Sequence, residues 1–112
     1  METDTNPQAT AVTACIEKLE RWVHDNKHFG HKCPEAEPVI TALQQTLETG
    51  TFPDNQAGKS AQALARNEFK LSQAEDTMLA NRLDPVANLP NVVKFTALIA
   101  EQNRILSTLT KP

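Results

Sequence analysis

From Lys59 to Asp84 the chain carries neither Gly nor Pro, and no other feature limits its fold as much. A run this long, with no breaker and no strand-like alternation, leaves helix as its only regular structure. Ser72 followed by Glu75 has the form of a capping box, which predicts a break and two helices meeting near Leu71. Asp76 argues for a single rod instead, because it cannot complete a hydrophobic staple with Leu71.

The flanking segments are also helical in pattern. Val12, Ile16, Leu19 and Val23, with Cys15 and Trp22 beside them, fall on one arc at about 100° per residue and predict a first helix from Ala9. Gly30 and Pro34 should end it. Val39, Ile40, Leu43 and Leu47 form the inner face of a second helix starting near Glu35 or Pro38 and stopped by Gly50. TFPDNQAG, residues 51–58, reads as an exposed loop. Asp84-Pro85 and Leu89-Pro90 predict a turn, since a residue before proline is pushed away from helical angles. Asn91 would then cap the last helix.

The expected fold is all-α, a compact bundle of four to five short helices in a single domain over residues 9–110, preceded by a loose polar tail at 1–8. At 112 residues the chain can build one core, removing roughly 65% of its unfolded surface from water. That core must be aliphatic, because aromatics make up only 4% of the residues and Trp22 is the sole tryptophan.

Charge narrows the functional classes. Fourteen acids and eleven bases give a net charge of −3 without a block of either sign. Nucleic acid and anionic membrane surfaces are therefore disfavoured partners. No apolar run is long enough for a membrane span. METDTNPQAT lacks the features of a signal peptide, and two cysteines are too few for a disulfide scaffold, so the expected compartment is the cytoplasm.

All three histidines and one cysteine lie in HDNKHFGHKC, residues 24–33. The H-x3-H-x2-H-x-C spacing makes His24, His28, His31 and Cys33 candidate zinc ligands, since imidazole and thiolate are the donors zinc prefers. Structural zinc sites usually join two separated ligand pairs, however, and here all four donors are crowded together. The competing reading is a set of exposed imidazoles at a helix C-terminus, where Lys27, Lys32 and a protonated histidine suit the helix dipole. Cys33 has basic neighbours that favour a thiolate, but no base, oxyanion site or C-x-x-C accompanies it. Cys15, on the apolar arc, is expected to be a small buried hydrophobe.

Two partial motifs stop short of chemistry. PDNQAGKS, residues 53–60, has the end of a phosphate-binding loop but Pro53 in place of its first glycine and no preceding strand. SAQALARNEFKLSQAEDTMLANRL, residues 60–83, invites comparison with a helix-turn-helix. Its turn would fall on Phe69-Lys70, and Glu75 and Asp76 would repel phosphate.

Phe95, Leu98, Gln102, Ile105 and Leu109 step by three and four, the seam spacing of paired helices. They either close the monomer core or form an interface with another protein or a second copy of the chain, and Gln102 needs a partner in both cases. No catalytic constellation is present. The expected function is that of a small non-enzymatic regulator, inhibitor or adaptor that binds a protein through apolar helix faces and needs no cofactor. The alternatives are a zinc module at the histidine cluster and, third, a helix-turn-helix DNA-binding regulator.

Overall fold

The computed structural model describes residues 7–110. Its helices are α1 (Pro7–His28), α2 (Ala36–Thr49), α3 (Gln56–Ala80) and α4 (Pro85–Ser107). The all-α class is as expected, but α1, α3 and α4 have 22, 25 and 23 residues and are not short. The expected tail lies mostly outside the described residues; Pro7 and Gln8 already belong to α1.

Local chemistry accounts for most helix ends. Gly30 takes φ of 82°, its N–H donates to the Lys27 carbonyl and the His31 N–H donates to the Asn26 carbonyl. This pair of bonds is a Schellman motif, which satisfies two carbonyls at the end of α1. Gly50, with φ of 79°, ends α2 by donating to the Thr46 carbonyl. The Asn55 side chain caps α3 by accepting from the Gly58 N–H at 2.7 Å, so the loop expected over residues 51–58 is shorter and α3 begins inside it.

Two sequence expectations are corrected. The break near Leu71 does not occur: α3 runs unbroken through Ser72, which is exposed and caps nothing. Leu64, Glu68, Leu71 and Ala74 continue a single buried face across the expected junction, and packing along that face outweighs a weak capping signal. Consequently the turn required by a helix-turn-helix is absent from residues 60–80. The last helix also starts earlier than expected, at Pro85, with the Asp84 carboxylate accepting from the Ala87 N–H. Pro90 lies inside α4. Asn91 does not cap the helix but donates to the Asn88 side chain.

The tertiary reason lies in Asn88, which is buried and donates from Nδ2 to the Met78 carbonyl at 2.9 Å. That bond gives a carbonyl in the last turn of α3 a second donor beside the Asn81 N–H, and it fixes the start of α4 there. The gain offsets the backbone bond that Pro90 removes.

α1 packs on α2 and α3, α2 on α3, and α3 on α4. The core gathers Val12, Cys15 and Leu19 of α1, Val39 and Leu43 of α2, Ala61, Leu64 and Ala65 of α3, and Ile105, Leu106 and Leu109 at the end of the chain. It occupies one end of the molecule. The radius of gyration, 15.4 Å, exceeds the roughly 13 Å of a compact chain of this length. The overall extents of 43 × 41 × 21 Å describe a slab about two helices thick. α3 from Ser72 onward and the first two-thirds of α4 form an arm beyond the core.

Candidate functional site

At HDNKHFGHKC, local geometry separates the candidate ligands. His24, His28 and His31 are all exposed and Cys33 is half-buried. His31 Nδ1 is 3.2 Å from the Asn26 side-chain oxygen across the Schellman turn, and His28 packs edge-on against Phe29. Cys33 Sγ lies 3.8 Å from the Thr110 hydroxyl. Among the described residues, no three His, Cys, Asp or Glu side chains gather as a group that could hold a metal ion. Lys27 and His28 occupy the last turn of α1, where positive charge is favoured by the helix dipole.

The same segment anchors the chain end. Trp22 Nε1 donates to Thr110 Oγ1 at 2.7 Å, and Asn26 Nδ2 donates to the Trp22 carbonyl. The turn after α1, the start of the α2 connection and the residues after α4 therefore meet at one place. Gly58, the glycine of the GKS sequence, also has a packing role. A Cβ there would stand 1.8 Å from the Pro53 carbonyl oxygen, so the loop can cross the start of α3 only over glycine.

A polar network links α1, α3 and α4. Glu68 is buried, and its Oε1 accepts from Lys18 Nζ and from Gln102 Nε2, both at 2.7 Å. Asn67 Nδ2 donates to the Leu98 carbonyl at 3.0 Å. Together with Asn88 and Met78, these contacts hold α3 and α4 in one antiparallel register. Cys15 is buried beside the network; burial, and then the charge of Glu68, push its thiol up to about 12 against the opposing pull of Lys18. That thiol stays protonated at neutral pH and has no nucleophilic character.

The five expected seam residues are divided by depth. Gln102, Ile105 and Leu109 are buried in the monomer, whereas Phe95 and Leu98 are half-buried against α3. Asn88 and Asn91 extend the same three-and-four spacing toward the start of α4. Most of this seam is occupied by the chain's own α3.

Sequence reasoning missed the opposite side of α4. Val86, Leu89 and Val93 are 84%, 59% and 62% exposed, and at 100° per residue they lie across the helix from the seam. Val92 and Ile99 are exposed between these two faces, and Leu79 and Leu83 are exposed at the end of α3 and in the α3–α4 turn. From Pro85 to Ala100 the only charged residue is Lys94. Between Ser72 and Glu101, Ala74 and Asn88 are the only buried residues, so the arm has no large buried apolar side chain. A signal was available in the sequence: PVANLPNVVKFTALIA is apolar around most of its circumference, the pattern of a helix covered on more than one side.

The surface concavities are shallow. One of them lies between α1 and α3, lined by Glu68, Phe69, Ser72 and Asp76, with a volume of about 410 Å³. In comparisons with known proteins, no family model, curated protein or solved structure matches this chain.

Proposed function

We propose that this protein is a non-enzymatic interaction module, a regulator, inhibitor or adaptor, that binds another protein chain through the arm formed by α3 and α4. One observation carries the reading. The arm presents Leu79, Leu83, Val86, Leu89 and Val93 to solvent while burying no large apolar side chain of its own. Isolated large aliphatic residues are common on protein surfaces, but a contiguous group of them is characteristic of a surface that something else covers. The free face of α4 has the three-and-four spacing by which one helix receives another. Among the described residues no helix is long and apolar enough to cross a membrane, and the many polar groups of α3 favour a protein partner over lipid.

The test is affinity purification from the native host with wild-type bait and with Val93→Asp bait. A partner recovered in near-equal molar amount with wild type and lost with Val93→Asp is the expected result. Recovery of the same proteins by both baits would overturn the reading. Because Val93 is exposed, the variant should retain wild-type helix content, and circular dichroism checks this.

A further inference from the structure

The chemistry of the exposed face of α4 indicates its occupant. We infer that the partner is a second copy of this chain, docked antiparallel on the first so that the two arms close into a four-helix bundle. This deepens the proposed interaction function and rests on it.

Area is the first argument. On α4 alone Val86, Leu89, Val92, Val93 and Ile99 are 37% to 84% exposed, and a partner that covers them with the small residues between approaches the roughly 800 Å² per side of a stable interface. All of these side chains lie on one helix, so a single partner helix can cover them.

Charge is the second. A two-fold interface brings the same patch against itself, so every charge in it would meet or adjoin its own copy. Between Pro85 and Ala100 only Lys94 is charged, and the wheel puts it away from Val86, Leu89 and Val93, on the side where Gln73, Thr77 and Asn91 lie. The face can therefore meet an identical one without like-charge repulsion. Its remaining residues, Thr96, Ala97 and Ala100, are small enough for two helices to approach closely.

Shape is the third. The arm is a helical hairpin without a core, about 24 Å long over Pro85–Ala100 at 1.5 Å per residue. Two such hairpins placed face to face form the smallest closed arrangement that covers both α4 helices and leaves the polar side of α3 in water. The middle of the face, at Val93, then lies near the two-fold axis.

Sedimentation velocity on the full chain over roughly 1–100 μM tests the assignment. Wild type should sediment at twice the 12.4 kDa chain mass. Leu89→Asp and Val93→Asp should weaken association at least about 100-fold and sediment as folded monomers. An independent measurement uses Val93→Cys in a Cys33→Ser background. Mild oxidation should join this pair of chains rapidly, whereas Gln44→Cys on exposed α2 should not cross-link.

A wild type that remains at 12.4 kDa throughout the range, or a dimer that both aspartate variants leave intact, overturns the inference. So does the absence of a Val93→Cys cross-link. If wild type is monomeric but Val93→Asp still loses a co-purifying protein, the self-association fails and the interaction function stands. If neither sedimentation nor co-purification responds to Val93→Asp, both fail.

Discussion

At the scale of single residues, Cys15 and Gly58 show how firmly the interior is set. The Cys15 thiol is held up to about 12 against an ordinary value of 9.0. Below about pH 9 the folded and unfolded chains both keep this proton and stability is unaffected. Above it only the unfolded chain loses the proton, so stability falls as pH rises toward 12, by up to about 1.4 kcal/mol per pH unit. Urea melts should show wild type losing about 1.4 kcal/mol more than Cys15→Ala between pH 8 and pH 10. Thiol titration of the native protein should label Cys33 and spare Cys15 until urea is added. Gly58→Ala should cost about 2 kcal/mol or more, because the collision is with the Pro53 backbone and not with a movable side-chain tip. A chemical melt would check it, and an unchanged midpoint would show that the loop moves aside freely. The burial of Cys15 could be read from its place on the apolar arc of α1, whereas the packing role of Gly58 could not, because it depends on where the Pro53 backbone crosses α3.

At the scale of elements, the pairing of α3 with α4 decides more than any propensity. The Glu68–Gln102, Asn67–Leu98 and Asn88–Met78 bonds are polar contacts in a seam whose apolar members are only partly buried over much of its length. Such contacts contribute modest net stability but penalise any shifted register, in which each buried group would lose its partner. Glu68→Ala should therefore destabilise the chain by about 2 kcal/mol by stranding the Gln102 amide. The loss should be smaller in a Glu68→Ala/Gln102→Leu double variant, measured by urea melts. Equal losses would mean that the amide finds water and that the seam does not depend on it. The prolines before and inside α4 misled the local reading. Asp84-Pro85 is a good helix start, and the cost of Pro90 in the second turn is met by the anchorage of Asn88 on α3.

At the scale of the whole molecule, the chain is asymmetric, with an aliphatic core at one end and a coreless arm at the other. If a second copy covers the arm, folding and association are linked and the midpoint of thermal unfolding depends on protein concentration. A 100-fold dilution should lower the wild-type midpoint by several degrees, since about 2.7 kcal/mol of association free energy is lost. Val93→Asp should have the same midpoint at both concentrations. A wild-type midpoint independent of concentration would place the unfolding transition outside any dimer equilibrium. Hydrogen exchange should show the same division, with slow amides around Leu19, Leu43 and Leu64 and faster ones in the arm of Val93→Asp.

The sequence by itself determined the helical class, the ends at Gly30 and Gly50, the apolar arc of α1 and that of α2 as far as Leu43; Leu47, expected on the inner face, is 44% exposed at the end of α2. These follow from nearest-neighbour rules: where glycine can turn left-handed, where spacing of three and four lines up one face, and where a carbonyl needs a cap. It also held the seam from Phe95 to Leu109, whose deeper members close the core. Only tertiary structure decided that α3 continues through Leu71, that α4 begins before Pro90, and which side of α4 remains uncovered. A helix apolar around most of its circumference does not specify which face turns inward; hydrogen bonds from Asn67 to Leu98, from Gln102 to Glu68 and from Asn88 to Met78 make that choice, leaving Val86, Leu89 and Val93 facing out.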